Sequence, residues 1–211
     1  MKTANYILEA CIETIEDAIA AANNGAHRLE VCSRLDLDGL TPSEDLITEI
    51  MLKIDIPVRI MIRPKAGDFI YSQAELDEMY SSVSLCKKLN VEGVVFGISN
   101  PDQTLNYGEI QKLARFAHPL KVTIHKAIDY TPDLSQAVEE LLKIPEITSI
   151  LSSGGKKTAL EGAKNLLKMV KIGGNGIEIV AAGRITPENI IDLHRLIGAK
   201  AYHGKKIVSV D

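Results

Sequence analysis

The chain has 211 residues, 45% of them apolar and 25% charged, and a net charge of −4 at pH 7. That length suits one domain, 1–211, with apolar residues enough for a sizeable core. The acidic balance and the 4% aromatic content, without Trp, give no pull toward nucleic acid or an anionic membrane. No apolar run is long enough to span a bilayer and Met1 opens no signal-peptide pattern, so a soluble protein in the cytoplasm is expected. The three cysteines stand at strand or helix positions rather than at disulfide-framework spacings, and in a reducing compartment they are expected to be thiols.

In chain order, β-rich apolar runs alternate with helical stretches. Strand Tyr6–Ile12 precedes helix Ile15–Asn24; Arg28–Cys32 precedes Ser43–Lys53; Val58–Arg63 precedes Gln73–Leu89. Gly93–Ile98 then leads to Tyr107–Ala117, Lys121–His125 to Asp133–Ile144, Ser149–Ser152 to Ala159–Val170, and Glu178–Ala182 to Pro187–Ile197, and Ala199–His203 is the last strand. Start signals support several helices: Thr41-Pro42-Ser43, Ser72 before Glu75, and Thr186-Pro187-Glu188. Gly25 and Gly198 stand where helices end. Eight strands and seven helices in this order predict an α/β fold, a (β/α)8 TIM barrel with its last helix missing or outside this sequence.

One phrase is repeated: Leu8-Glu9-Ala10-Cys11 and Leu29-Glu30-Val31-Cys32. Side chains alternate along a strand. Leu8 and Ala10, like Leu29 and Val31, therefore face outward, and Glu9, Cys11, Glu30 and Cys32 face inward. An open sheet would carry apolar residues on both faces of its central strands, so the inward polar pairs favour a closed barrel. The same alternation turns Arg59, Met61, Arg63, Thr123 and His125 inward. Glu9, Glu30 and Arg59 are expected to neutralise one another, because an unpaired buried charge is costly. Cys86 follows Leu76, Met79 and Val83 at helical spacing and is expected to be core. Cys11 and Cys32, with the thioether of Met61 near them, form a candidate site for a soft ion such as Cu(I).

Loops at the barrel mouth supply a second set of candidates. Arg63-Pro64-Lys65-Ala66-Gly67-Asp68 follows the third strand and Ser152-Ser153-Gly154-Gly155 the sixth. Gly183 follows the seventh, in the region where this fold commonly holds phosphate. Backbone amides in a Ser/Gly loop can hold an anion. Arg63, Ser153, Gly154, Gly155 and Gly183 are thus expected around a small anionic metabolite, with His125, Asp68 and Asp129 as acid/base groups if the protein is an enzyme. Glu9, Glu30 and His203 complete the candidate ligand-binding set. No nucleophile elbow, Walker loop, His-Glu-x-x-His or dinucleotide fingerprint is present. A homo-oligomer is left open.

Taken together, Leu29-Glu30-Val31-Cys32, Asp38-Gly39-Leu40-Thr41-Pro42-Ser43, Ile62-Arg63-Pro64 with Gly67-Asp68-Phe69 and Tyr71, His125-Lys126-Ala127-Ile128-Asp129, Ser153-Gly154-Gly155 and His203-Gly204 resemble the CutC family, described as copper homeostasis proteins. The resemblance runs through almost the whole chain. It implies a barrel fold, a cytoplasmic location and Cu(I) binding or copper trafficking. The chain departs from the family pattern at Asp38, Lys126, Ile128, Ala181, Ala182, Ala201 and Lys205.

Overall fold

The computed structural model describes residues 6–208. Its strands are β1 (Ile7–Ile12), β2 (Arg28–Val31), β3 (Val58–Met61), β4 (Gly93–Phe96), β5 (Lys121–Ile124), β6 (Ile147–Ser152), β7 (Glu178–Ala181) and β8 (Ala201–Gly204). All neighbours pair in parallel, and β8 returns to β1 to close the barrel. The helices are α1 (Ile15–Asn23), α2 (Glu44–Lys53), α3 (Gln73–Lys88), α4 (Tyr107–Ala117), α5 (Leu134–Leu141), α6 (Ala163–Gly173) and α7 (Ile190–Ile197). Among the described residues no helix follows β8.

Local chemistry explains most boundaries. Thr14, Ser43, Ser72, Asn106 and Asp133 each cap a helix by accepting a hydrogen bond from its first turn. Ser72 and Glu75 complete a capping box on α3. Helix α6 starts at Ala163, four residues later than its apolar pattern suggests, because Gly162 is pressed against Ser153: a Cβ there would lie 1.9 Å from the Ser153 carbonyl oxygen. Helix α7 likewise starts after a turn in which Asn189 Oδ1 accepts from the Thr186 amide. Beyond the elements read from sequence, His125 caps a short 3₁₀ helix, Lys126–Tyr130.

The outward strand faces and the inward helix faces form one large apolar layer that includes Leu29, Val31, Ile60, Ile62, Val94 and Ile124. The barrel interior is separate. One inner cluster holds Cys11, Cys32, Met61 and Val95, and another Leu151, Val180, Ala182 and Ala201. At the N-terminal end of the strands the interior is closed by charges. Arg28 donates to Glu9 and, at 3.0 Å, to Glu178. Arg59 donates to Glu92 at 2.9 Å, Thr123 at 2.8 Å and Ser149 at 3.0 Å. Arg59 therefore finds its acids in Glu92 and, at 4.0 Å, Glu178, not in Glu9 or Glu30. Every charge in this plug has a partner, as burial requires.

Candidate functional site

Cys11 and Cys32 face the barrel interior and are buried. Parallel pairing sets Cys11 opposite Glu30, and the Cys32 amide donates to Ile12 O, carrying the ladder one residue past β2. The two sulfurs are 3.7 Å apart, and both approach Glu30 Oε1, Cys11 at 3.7 Å and Cys32 at 3.6 Å. Glu30 Oε2 is buried without a hydrogen-bond partner among the described residues. These three residues could together offer ligand atoms to one metal ion.

Closure of the barrel brings His203 to the same place. Register sets Glu9 opposite Arg28 on one side and His203 on the other. Its carboxylate accepts from Arg28 through Oε2 and from His203 Nδ1 through Oε1, the latter at 2.9 Å. His203 Nε2 points toward Glu30 Oε1, 3.9 Å away. Burial pushes the Glu30 carboxyl up. Burial acts on Glu9 in the same direction but is outweighed by the His203 hydrogen bond and the Arg28 charge, so Glu9 stays ionised. Burial disfavours a charged His203, and the Glu30 and Cys11 side chains overcome it. The thiols titrate as a pair: a hydrogen bond from Cys32 holds Cys11 down, and the same contact holds Cys32 up. Cys86, the third thiol, lies in α3, buried in the outer apolar layer as the helical spacing predicts.

The loop between β2 and α2 covers the sulfurs. A Cβ on Gly39 would sit 3.1 Å from Cys32 Sγ, and Leu35 packs on the inner cluster. This loop is tied down from three directions. Arg63 donates to Leu37 O at 3.0 Å and Gly39 O at 3.1 Å, Lys205 to Leu35 O at 2.7 Å, and the Leu35 amide to Glu13 at 2.8 Å.

The other expected site residues are brought together only in part: Arg63 and His125 both lie against the Phe69 ring, 5.0 Å from Arg63 Cζ and 4.6 Å from the His125 ring. Among the described residues Arg63 makes no hydrogen bond to the Ser-Gly loop; its third guanidinium contact is Gly67 O at 3.0 Å. The Ser153 and Gly155 amides, expected to face an external anion, both donate to Asp129 at 2.9 Å, and the Gly154 amide donates to Ser152 Oγ. The chain thus supplies the anion itself, and Asp129 is a clamp rather than a free acid/base group. Asp68, expected beside His125, is 63% exposed and turned toward Lys65. Gly183 carries the close approach of two loops: its carbonyl accepts from the Ala159 amide, and a Cβ would meet that nitrogen at 2.8 Å. His125 is buried against Phe69, with its Nδ1 accepting from the Ala127 amide at 3.1 Å. Burial and the Arg63 charge push its pKa down to about 3, so the ring is neutral near pH 7.

Fold and site together define a parallel (β/α)8 barrel with a buried dithiol at the C-terminal ends of two adjacent strands. Comparison with known proteins bears on the fold and the family. The model of the CutC family matches residues 6–208. A CutC family protein from Mesorhizobium japonicum is 35% identical over 93% of this chain and 76% of its own length. The human copper homeostasis protein cutC homolog is 33% identical over 94% of this chain and 72% of its own. A solved CutC structure from Streptococcus agalactiae superposes with a TM-score of 0.90 at 28% identity, covering 96% of this chain and all of that one. The chain belongs to the CutC family.

Proposed function

We propose that this protein binds one Cu(I) ion through Cys11 and Cys32 and carries it as cargo in the cytoplasm. The observation that carries this reading is the pair of buried sulfurs 3.7 Å apart. Metal–thiolate bonds are about 2.3 Å long. Two such bonds in line span more than this separation, so both sulfurs reach one ion at a bent angle that leaves a side open. Glu30 Oε1, within 3.7 Å of both sulfurs, and the Met61 thioether in the same cluster supply further donors on that side. Soft thiolate and thioether ligands suit Cu(I), and a reducing compartment keeps both thiols available.

The surroundings suit a cargo site. Thiolates, not thiols, ligate the metal, so an arriving ion displaces the thiol protons and its affinity should fall as the pH falls. The β2–α2 loop limits access, and its three tethers must loosen for an ion to enter or leave. The names of the relatives support the copper assignment. The test is a Cu(I) titration against a competing chelator. The full chain should bind one equivalent, and Cys11→Ser and Cys32→Ser should each weaken it at least tenfold. Unchanged affinity in both variants ends the proposal.

A further inference from the structure

We propose that Arg63, Tyr71, Ser99 and His125 form a second ligand site, for a small carboxylate anion, at the C-terminal mouth of β3, β4 and β5. The starting observation is a buried charge. Arg63 is 4% exposed. Its guanidinium donates to the carbonyl oxygens of Leu37, Gly39 and Gly67, yet among the described residues it forms no ion pair with any Asp or Glu. A buried cation without a counter-ion is costly. Its Nε is also buried without a partner. The two other buried arginines, Arg28 and Arg59, both have carboxylates, so this exception is specific to the barrel mouth.

Three further unpartnered polar atoms belong to the same neighbourhood: Tyr71 Oη, Ser99 Oγ and His125 Nε2. Phe69 ties them together. Its ring lies 4.6 Å from the His125 ring and 5.0 Å from Arg63 Cζ, and its carbonyl accepts from the Ser99 amide at 2.9 Å. Tyr71 is two residues further along the same loop, and the Arg63 charge acts on both Tyr71 and His125. Gly97 lets His125 lie flat against β4, since a Cβ there would fall 2.7 Å from the imidazole. The Ala127 amide occupies His125 Nδ1, which leaves Nε2 as the protonated, donating nitrogen.

The set therefore offers two N–H donors, two hydroxyls and one positive charge; Asp68 and Glu75, which also act on Tyr71, are paired with Lys65 at 3.4 and 3.5 Å. An ionised carboxylate is acceptor-only, with about four lone-pair sites on two oxygens. Such a group pairs with each of these donors and neutralises Arg63. A phosphate would be expected on the glycine-rich amides instead, and those are already spent on Asp129 and Ser152. Entry requires Phe69 to swing away on its loop, which turns at Gly67 with φ +90°. This site is independent of the thiol pair and of the copper reading.

The test uses the full chain with labelled histidine. Acetate, inorganic phosphate and chloride are titrated separately at constant ionic strength while the His125 imidazole resonances and the melting temperature are followed. Acetate should shift the His125 signals saturably and raise the melting temperature. Tyr71→Phe and Ser99→Ala remove only a hydroxyl; each, once shown to be folded, should weaken acetate binding by about tenfold. The Cys11→Ser/Cys32→Ser double variant should keep acetate binding, separating this site from the copper site. The proposal is overturned if no saturable shift of His125 occurs, if chloride acts equally, or if affinity is unchanged in both hydroxyl variants. Saturation by phosphate but not acetate overturns the ligand class.

Discussion

Asp129→Asn tests whether the Ser-Gly loop is an internal clamp. Each oxygen of Asp129 accepts one backbone amide and one hydroxyl: Oδ1 from Gly155 N at 2.9 Å and Ser152 Oγ at 2.5 Å, Oδ2 from Ser153 N at 2.9 Å and Ser153 Oγ at 2.8 Å. An asparagine must turn its NH2 toward one of these pairs. A hydroxyl can rotate and accept, but a backbone N–H cannot, so either orientation leaves one amide facing another donor. An unsatisfied donor costs about 1–3 kcal/mol, and the bonds that remain fall from charge-assisted to neutral strength. The sum is about 2–4 kcal/mol of stability. Urea unfolding of both proteins at pH 7 measures it, and amide exchange should show faster opening at Ser153 and Gly155. A loss below about 0.5 kcal/mol, the range of ordinary surface substitutions, would refute the clamp and return these amides to the pool available for external anions.

Three further outcomes follow from the packing. His125 has its pKa depressed to about 3, so between pH 6.5 and 3 the unfolded chain binds a proton there that the folded chain does not. Its contribution is therefore full above pH 6.5 and is lost on acidification at up to about 1.4 kcal/mol per pH unit; His125→Gln should flatten the stability curve in that window, and parallel curves for the two proteins would contradict the assignment. Gly162→Ala puts a Cβ 1.9 Å from the Ser153 carbonyl, and denaturant unfolding should show a loss of about 3 kcal/mol or more, beyond ordinary overpacking. Arg59→Met breaks the bonds to Glu92, Thr123 and Ser149; Glu92 keeps Lys121 at 2.8 Å, so the expected loss is about 1–3 kcal/mol, the cost of leaving buried polar groups unpaired, and a loss under about 0.5 kcal/mol would show that the plug carries little of the stability.

The inner lining was legible because a strand has period two. Once Leu29 and Val31 are outward, Glu30 and Cys32 must be inward, and a barrel closes them together. The same phase turns Arg28 inward beside Glu30, and Glu178 with Val180, so the partners of Glu9 and Arg59 could have been sought there. The placement of His203 depends on β8 closing against β1 with His203 opposite Glu9. That register is a long-range property with no local signal. The setting of Arg63 was not legible for a different reason: its hydrogen-bond partners are carbonyl oxygens, which every residue carries and no motif marks. The Ser-Gly loop did carry a legible anion-binding character. Its anion, however, is Asp129, brought to it by the 3₁₀ turn after β5.

The central claim is that two sulfurs from neighbouring strands hold one copper ion. X-ray absorption on the protein loaded with one equivalent of Cu(I) measures this directly. The account predicts copper–sulfur scattering near 2.3 Å from both Cys11 and Cys32, with a sulfur contribution that falls in Cys11→Ser and in Cys32→Ser alike. A copper shell of nitrogen and oxygen only, or a sulfur shell that either substitution leaves unchanged, would contradict it.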